Sequence, residues 1–368
     1  MKTLDQIIDN FTLSYPLDTI CDPEKALFLD IETTGFTARS SSLYMIGCAY
    51  LKDSNWHTIQ WFAQDPSQQA DVLKAFLSFA QKNSFLIHFN GNQFDLPYLK
   101  QKCEECNIEQ SLDAFDGLDL YRRIFPYRKL FPIPDCKQKS LEKFLQVGRE
   151  DLYTGGELIE IYEEYTKAPT ENAENLLLLH NREDLIGMLS ILPILSYRDL
   201  FNKSLKAIKV QANHYRDLND ARRTELLITL ALPVKLPVPL TINAHECIAK
   251  LEGGECILRV PVFEETLKYF YANYKDYYYL PEEDLALHKS VATFVDKDHR
   301  IQATAQNCYT RKNSTYLPQW DTEFKPFFKR NYQDHELFFE LTDEMKKDRT
   351  AFACYATHVL KMIAESQK

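Results

Sequence analysis

The sequence predicts an α/β fold, in which a mixed sheet is flanked by helices, followed by a C-terminal accessory domain that is mainly β and of the α+β type. Two observations support this prediction. Strand-like and helix-like patterns follow one another over residues 1–200, and strand-like runs dominate after about residue 233. A chain of 368 residues is long enough for two domains of ordinary size.

The first half of the chain begins with three predicted strands. Residues 26–31 form a short apolar run that suits a buried central strand. Residues 43–51 and 57–62 are two further strand candidates joined by a polar turn, which predicts an antiparallel meander. Helical spacing of apolar residues over 68–81 then predicts a helix, and the apolar run 85–89 predicts a fourth strand.

Helices dominate the remainder of this half. One helix is predicted to begin near Gln93, and the pattern is mainly helical over residues 140–197. The longest predicted helix spans residues 172–191, because Pro193 signals a helix end or a kink. This order of elements predicts one domain over residues 1–200.

A connection between the two domains is predicted over residues 201–232. Basic residues spread through 198–223 predict an amphipathic helical connector. Prolines then alternate from Pro233 onward, which suits a linker or an edge segment rather than a central strand. Residues 233–368 form the predicted accessory domain, whose function the sequence leaves unknown. Its predicted elements are strands over 256–262, 291–295 and 301–309 and a closing helix over 344–364.

Composition and charge narrow the class of protein. The chain is 45% hydrophobic and 26% charged, which is typical of a soluble globular protein. No stretch approaches the roughly 20 apolar residues that a membrane span requires, so no membrane partner is expected. The polar N-terminus carries no secretory pattern, which predicts a cytoplasmic location.

The net charge of −10 is unevenly distributed. Residues 1–200 hold 19 Lys and Arg against 30 Asp and Glu, whereas the other residues hold 24 (43 − 19) against 23 (53 − 30). An acidic half does not exclude a polyanionic substrate, because a site that binds divalent cations must itself be negative. Attraction to a phosphate backbone must then come from local patches.

Neither the cysteines nor the aromatic run near residue 270 predicts a special site. The nine cysteines suggest free thiols, and the single C-x-x-C of Cys103 and Cys106 lacks the second pair that a structural zinc site needs. Residues 267–280 contain seven aromatic residues. A core and interface element is favoured there over a platform that stacks on nucleic-acid bases.

The strongest candidate site lies at the end of the first predicted strand, in Leu29-Asp30-Ile31-Glu32-Thr33-Thr34-Gly35. Side chains alternate along a strand, so Asp30 and Glu32 project to the same side. Two carboxylates at the end of an apolar strand are costly to place together unless a cation neutralises them. The pattern therefore predicts a metal site, and the alternative is a strand that simply ends in solvent with two charges.

A second acidic residue follows the fourth predicted strand, in Phe89-Asn90-Gly91-Asn92-Gln93-Phe94-Asp95. The apolar strand ends, an Asn-Gly turn follows, and Asp95 lies in the first turn of the next helix. An aspartate there also interacts favourably with the helix dipole. A role at the helix start is therefore the alternative to a role in metal binding.

The third candidate lies inside the longest predicted helix, in His180-Asn181-Arg182-Glu183-Asp184. His180 and Asp184 are four residues apart and therefore share one face. Four leucines precede them, which indicates a buried part of the helix, and a buried histidine and aspartate need partners. A surface ion pair is the alternative. Glu183 points elsewhere, which suggests a solvated or structural role.

Together the three motifs resemble those of the DEDD exonuclease superfamily, and most closely its bacterial YprB-like branch. They occur in the family's order over about residues 20–200, and the resemblance implies a ribonuclease-H-like fold there. DEDD proteins usually have a histidine with four intervening residues before the last aspartate, or a tyrosine with three. Here three residues separate His180 from Asp184, as in the YprB-like branch.

The resemblance implies a metal-dependent 3′→5′ exonuclease that hydrolyses single-stranded DNA or RNA with a free 3′ end. It implies two Mg²⁺ or Mn²⁺ ions, and Asp30 would bridge both of them. Glu32 and Asp184 would hold the first ion, and Asp95 would hold the second. His180 would orient or deprotonate the attacking water.

The resemblance also implies contacts with the substrate. Thr33, Thr34 and Gly35 would contact the terminal nucleotide through their backbone. Asn90 and Phe94 would position or wedge the last bases.

A basic segment offers a further candidate for substrate binding. It begins at Arg122 and Arg123 and extends to Lys143, with seven basic residues and two acidic ones. Four aromatic residues lie beside or among them: Tyr121, Phe125, Tyr127 and Phe131. Such a mixture is typical of surfaces that bind single strands. A solvated loop with aromatic side chains anchored in the core explains the pattern equally well.

Two other functions remain open at this point. The same site suits a structure-specific endonuclease or RNase. The fold alone is also compatible with a catalytically silent protein that binds nucleic acid. Retention of all four carboxylates and His180 favours an enzyme.

Overall fold

The computed structural model describes residues 1–109, 112, 115–151 and 153–367. The chain forms two compact units, Met1–Arg198 and Asp199–Lys368. The first unit contains a mixed sheet flanked by helices, and the second is rich in antiparallel sheet. The predicted fold class is therefore confirmed.

The first unit alternates strands and helices. Its strands are β1 (Lys2–Ile7), β2 (Ala26–Thr33), β3 (Leu43–Lys52), β4 (Asn55–Phe62), β5 (Phe85–His88) and β6 (Asp116–Asp119). Its helices are α1 (Gln69–Ala80), α2 (Asp95–Glu105), α3 (Leu120–Ile124), α4 (Gln138–Phe144), α5 (Gly155–Lys167) and α6 (Glu171–Ile191), after which α7 (Leu195–Asn202) follows.

The six strands form one sheet in the order β1-β4-β3-β2-β5-β6. Strands β2, β3 and β4 pair antiparallel, as the predicted meander requires, and β5 and β6 continue the sheet in parallel with β2. The sequence did not predict β1, which pairs with β4 at the edge of the sheet. Strand β2 lies inside the sheet, between β3 and β5. This position explains its apolar run, because residues 26–29 are fully buried.

Helix α6 lies against the middle of this sheet, where it packs on β2, β3 and β4. It begins after Thr170, whose side chain accepts a hydrogen bond from the backbone N–H of Ala173, an ordinary N-cap. It ends at Ile191, just before Pro193, as predicted. Its buried residues include Leu177, Leu178 and Leu185, and this face brings the third motif against β2.

The second unit is built mainly from antiparallel strands. They are β7 (Lys206–Arg216), β8 (Arg222–Ala231), β9 (Leu240–Ala244), β10 (Cys247–Glu252), β11 (Glu255–Phe270), β12 (Tyr277–Leu280), β13 (Leu285–His288), β14 (Ile301–Gln302), β15 (Tyr309–Gln319), β16 (Phe327–Phe328) and β17 (Leu337–Glu340). Its helices are α8 (Lys289–Ala292) and α9 (Arg349–Ser366). Strand β11 pairs with β8, β10 and β15, and α9 packs against β7 and β9.

The helical connector predicted over 201–232 is wrong. Strands β7 and β8 form an antiparallel hairpin there, and its turn contains Asp220 with a φ of 60°. Leu226, Ile228 and Leu230 are buried on one face of β8, which is the period of a strand. The spacing of the basic residues suggested a helix, but the alternating apolar residues determine the structure. The proline-containing segment from Pro233 connects β8 to β9 inside the second unit.

Two predicted strands of the second unit also differ from the structure. Residues 291–295 are not a strand, because α8 occupies 289–292 and the His288 side chain accepts a hydrogen bond from the N–H of Ser290 at its start. The run 301–309 is divided between β14 and the first residue of β15. The predicted strand 256–262 lies within β11, and the closing helix is α9.

The aromatic run 267–280 contributes to a packed cluster, as predicted. Tyr271 stacks on Tyr277 with ring centroids 4.5 Å apart, and both pack against buried Ala286 and Cys308. All nine cysteines lie in the described part of the chain and are free thiols. Within that part, no helix has both the length and the apolar character needed to cross a membrane.

Candidate active site

The site is centred on the carboxyl end of β2, where Asp30 and Glu32 lie. Burial raises the pKa of Asp30 well above its ordinary value, and the charges of Glu32, Asp184 and Asp95 raise it further. Burial likewise raises the pKa of Glu32 to about 7, against the charge of His180 and a hydrogen bond from Tyr44. The four predicted carboxylates therefore interact with one another in one region, where Asp95 is buried and the other three are half-buried.

Helix α6 contributes Asp184 and His180 on one face. The Nε2 atom of His180 lies 3.2 Å from Oδ2 of Asp184 and 3.8 Å from Oε1 of Glu32. One ligand atom from each of these three residues lies within 4.8 Å of the other two. The i, i+4 spacing thus places both residues of α6 against the end of β2, as the sequence predicted.

Asp95 enters the site from the start of α2. Only 7% of this residue is exposed. Burial raises its pKa to about 7, although the backbone N–H groups of Asp95 and Ile31 donate to its carboxylate and lower the value. The hydrogen bond from Ile31 joins Asp95 to β2 between Asp30 and Glu32.

A buried amide positions Asp30. Asn181, which is fully buried on α6, donates from Nδ2 to Oδ2 of Asp30 over 2.7 Å. Its own Oδ1 accepts from Nε2 of Gln60 at 3.0 Å, and Gln60 also donates to the carbonyl of Leu178. Because these hydrogen bonds link Asp30 to two buried amides in series, the Asp30 carboxylate is held in one orientation.

Gly47 on β3 leaves the space that Asn181 occupies. A Cβ atom at Gly47 would lie 2.0 Å from Oδ1 of Asn181 and 2.8 Å from Cδ1 of Leu185. Gly47→Ala is therefore expected to destabilise the protein by about 1–3 kcal/mol, the usual cost of overpacking. Urea unfolding measures this change.

The matched control is Gly156→Ala in α5, where an added Cβ meets nothing within 4 Å. Alanine has the higher helix propensity, so this variant should equal or exceed the parent in stability. Equal stability of both variants would show that Asn181 moves aside at no cost.

A loop between α4 and α5 supplies two further charged groups. Arg149 contacts Asp184 at 2.7 Å and Glu142 at 3.1 Å. Oδ2 of Asp151 lies 2.7 Å from Nδ1 of His180. The side chain of Glu183 accepts hydrogen bonds from the backbone N–H groups of residues 150 and 151 at 2.9 and 2.8 Å. Glu183 therefore has a structural role, since it fixes the loop beside the site.

These neighbours set the protonation of the α6 pair. Burial lowers the pKa of His180, but the hydrogen bond with Asp184 and the charges of Glu32, Asp184 and Asp151 outweigh burial and raise it to about 9. Burial raises the pKa of Asp184, but His180 and Arg149 outweigh it and lower the pKa. Both pKa shifts have the same cause, which is the attraction between the positive His180 and Arg149 and the neighbouring carboxylates.

The turn after β2 is held by its own hydrogen bonds. The hydroxyl of Thr33 donates to the carbonyl of Gly35 at 2.9 Å. The backbone N–H of Thr34 donates to the carbonyl of Ser42, and its hydroxyl accepts from the Ser42 N–H. The implied backbone contacts with a nucleotide must therefore use groups other than the N–H of Thr34.

An open aromatic pocket lies next to this turn. Its volume is about 350 Å³, and Phe36, Arg39, Phe94 and Tyr98 contribute to its lining. Phe36 is 90% exposed and meets Phe94 edge to face, with ring centroids 6.2 Å apart. Phe94 is a predicted substrate-binding residue, whereas Phe36 was not predicted, because only its place directly after Gly35 points to it.

Asn90 lies in the turn before α2. Its φ is 62°, a left-handed conformation that asparagine tolerates, and its N–H donates to Oδ1 of Asp119 at 3.0 Å. Within the described residues, its buried Oδ1 atom has no hydrogen-bond partner. Arg122 and Arg123 have exposed side chains on α3, outside the carboxylate cluster.

The sequence did not identify Arg149, Asp151 or Asn181 as site residues. Arg149 and Asp151 lie in a loop whose position depends on tertiary contacts with α6. Asn181 stands inside the third motif, but its role depends on the close approach of β3.

The donor set fits a divalent cation. Carboxylate oxygens are the ligands that Mg²⁺ and Mn²⁺ prefer. Asp30, Glu32 and Asp95 all have raised pKa values, and a cation would offset the repulsion between their carboxylates. This arrangement suits metal-assisted hydrolysis.

Comparison with known proteins agrees with the fold of the first unit. Residues 27–196 match the family model of the RNase_H superfamily, which supports a nuclease. No curated protein matches the chain.

Solved structures show more distant likenesses. A family B DNA polymerase from the archaeon Pyrobaculum calidifontis is 12% identical, with a TM-score of 0.37, over 69% of this chain and 35% of that one. A zinc-bound E. coli ExoI–ssDNA complex is 12% identical, with a TM-score of 0.27, over 57% of this chain and 55% of that one. The chain thus spans about a third of the polymerase and about half of the ExoI chain.

Proposed function

Because residues 27–196 form a ribonuclease-H-like domain, we propose that this chain is a two-metal-ion 3′→5′ exonuclease that hydrolyses phosphodiester bonds of single-stranded DNA or RNA. The observation that carries the proposal is the convergence of Asp30, Glu32, Asp95 and Asp184 from β2, α2 and α6. Asp95 is buried and the other three are half-buried, and a purely structural role does not explain four carboxylates brought together from distant parts of the sequence.

The four carboxylates would hold two Mg²⁺ or Mn²⁺ ions. When bound, such ions supply Lewis-acid stabilisation of the charge that develops on the phosphoryl group. The protein's own part is to hold the ligands in place. Asn181 orients Asp30, the backbone of Ile31 orients Asp95, and Arg149 orients Asp184.

The aromatic pocket beside Gly35 would receive a base at the 3′ end of the strand. Phe36 and Phe94 offer ring surfaces there, and Arg39 adds a positive charge. Stacking on aromatic rings is tolerant of sequence, which fits an enzyme that removes nucleotides one after another. The Oδ1 atom of Asn90, which has no hydrogen-bond partner in the part of the chain that the structure describes, offers an acceptor for a substrate hydroxyl or amino group.

Phe36→Ala is expected to raise the KM for a single-stranded oligonucleotide about tenfold and to change kcat much less, because a stacked base contributes about 1–3 kcal/mol. Steady-state kinetics with a labelled oligonucleotide measures the effect. The matched control is Phe294→Ala, since Phe294 is 91% exposed in the second unit. An unchanged KM in Phe36→Ala would remove Phe36 from the substrate site.

The direction of hydrolysis is tested with 5′-labelled single-stranded DNA and RNA in the presence of Mn²⁺ or Mg²⁺. A ladder that shortens from the 3′ end is expected. Discrete internal cuts would instead support a structure-specific endonuclease or RNase at the same site. Binding without hydrolysis would support a catalytically silent protein and would contradict the proposal. Blocking the 3′ hydroxyl with a phosphate separates the first two outcomes.

A further inference from the structure

The environment of His180 differs on the two sides of its ring. Nδ1 lies 2.7 Å from the Asp151 carboxylate, which is an acceptor, so Nδ1 carries a hydrogen. Nε2 faces Asp184 and Glu32 at 3.2 and 3.8 Å. Without a cation, Nε2 also carries a hydrogen, which it donates to Asp184. A divalent cation placed among the three groups would displace that hydrogen and bind the nitrogen lone pair.

These distances match those between ligands of one ion. Nitrogen and oxygen ligands lie about 2.0–2.2 Å from a divalent metal, so two ligands of one ion are at most about 4.4 Å apart. A water molecule that forms hydrogen bonds of about 2.8 Å to both Nε2 and Asp184, at a tetrahedral angle, would hold these two groups about 4.6 Å apart. The observed 3.2 Å separation is therefore too short for a water in that position.

Asp151 holds the ring in this orientation. A histidine that binds a metal usually donates its other N–H to a carboxylate, which fixes the tautomer. Asp151 is itself fixed, because its backbone N–H donates to Glu183 and its carboxylate contacts Arg149 and Lys139. His180 is also buried, with 5% of the residue exposed. The ring is thus aimed at the space beside Glu32 and Asp184 without any rearrangement.

We infer that His180 is itself a ligand, through Nε2, of the cation that Glu32 and Asp184 hold, and that Asp151 is its positioning residue. The inference rests on the proposed nuclease site and deepens it. It makes His180 a metal ligand, whereas the resemblance implies that His180 orients or deprotonates the attacking water. A ligand set of one imidazole and two carboxylates favours a transition-metal ion such as Mn²⁺ over Mg²⁺.

The test is pulsed electron paramagnetic resonance of Mn²⁺ added to the metal-free full chain. Coupling of the Mn²⁺ spin to an imidazole ¹⁴N nucleus is expected in the parent protein and is expected to be lost in His180→Gln. His57→Gln is the matched control, because His57 also pairs with an aspartate, Asp5, at 3.1 Å. That variant should keep the coupling.

A second variant keeps the inference testable if His180→Gln fails to fold. Asp151→Asn retains an acceptor but removes its charge, and it should raise the Kd for Mn²⁺ about 10- to 100-fold. Asp116→Asn, at an exposed position on β6, should leave that Kd unchanged.

Each result of the experiment bears on a different proposal. Mn²⁺ that binds without imidazole coupling would overturn the ligand role of His180 and leave the nuclease proposal standing. Coupling that persists in His180→Gln would also overturn it. If no Mn²⁺ binds to the parent protein, both the ligand role and the cation dependence of the nuclease are wrong.

Discussion

Asp30→Asn is expected to lower the rate of cation-dependent hydrolysis by about 10³-fold, because a bound cation contributes several kcal/mol of charge stabilisation. The change keeps the shape of the side chain, and an amide oxygen still accepts the hydrogen bond from Asn181. Single-turnover cleavage of a 5′-labelled oligonucleotide with Mn²⁺ measures the rate.

The control for this variant is Asp116→Asn, which alters an exposed acid of β6 in the same sheet. It should cleave at the parent rate. Without divalent ions, Asp30→Asn should be at least as stable as the parent, because burial and three neighbouring carboxylates disfavour the charge of Asp30. A rate within tenfold of the parent would place the catalytic cation elsewhere.

The metal-free protein is expected to lose stability as the pH rises from about 5 to about 8. Glu32 and Asp95 have pKa values raised to about 7, from ordinary values of 4.5 and 3.8. Between these values the folded state holds a proton that the unfolded state has released. Their stabilising contribution is therefore complete below the unfolded values and is lost as the pH rises through 7.

The pKa of Asp30 is raised as well, so its stabilising contribution is also lost as the pH rises. Two further groups of the site, His180 and Asp184, do not reverse this trend. His180 has a pKa raised to about 9, so its contribution is complete below 6.5 and is lost as the pH rises through 9. Asp184 has a lowered pKa, so its contribution is lost only as the pH falls through the acid range. Each group that titrates adds a slope of about 1.4 kcal/mol per pH unit where only the folded state is protonated.

Calorimetric unfolding at several pH values in the presence of a chelator checks this expectation. Glu32→Gln should make the slope shallower, and Asp116→Asn should leave it unchanged. Mn²⁺ at about 100 times its Kd should add about 2.7 kcal/mol and flatten the dependence, because it binds the ionised carboxylates. A metal-free protein that became more stable between pH 5 and pH 8 would contradict the crowding of Glu32 and Asp95.

Local sequence patterns predicted the first unit well because its strands and helices carry strong apolar periods. The buried run of β2 and the long helix α6 are defined by residues close together in sequence, and Pro193 fixes where α6 ends. Strand β1 escaped prediction because it is short and largely exposed at the edge of the sheet. Its structure depends on pairing with β4, which no local pattern reveals.

Local sequence patterns predicted the second unit less well. In β7 and β8, regularly spaced positive charges suggested a helix, although the alternating buried residues of β8 are those of a strand. The short α8 replaced a predicted strand because Val291 and Phe294 are exposed and do not pack in a sheet. Apolar residues at such positions imitate a strand in sequence.

The four carboxylates and His180 could be predicted because each stands at an element end or on a helix face. Their supporting residues could not. Arg149 and Asp151 reach the site from a loop, and the link from Gln60 to Asn181 connects residues 121 positions apart in sequence. These contacts exist only after the sheet and α6 have packed together.

Glu183 and Asp184 are consecutive acids of α6 with different partners, since Glu183 holds the backbone of residues 150 and 151 and Asp184 faces His180. Their two side chains also differ in length by one methylene. Exchanging their order would therefore preserve the composition and charge of the protein, yet it would shorten the tether of the loop and lengthen a side chain of the cluster. Adjacent residues of the same chemical class are thus not interchangeable here, and net charge alone is a poor guide to which substitutions this helix tolerates.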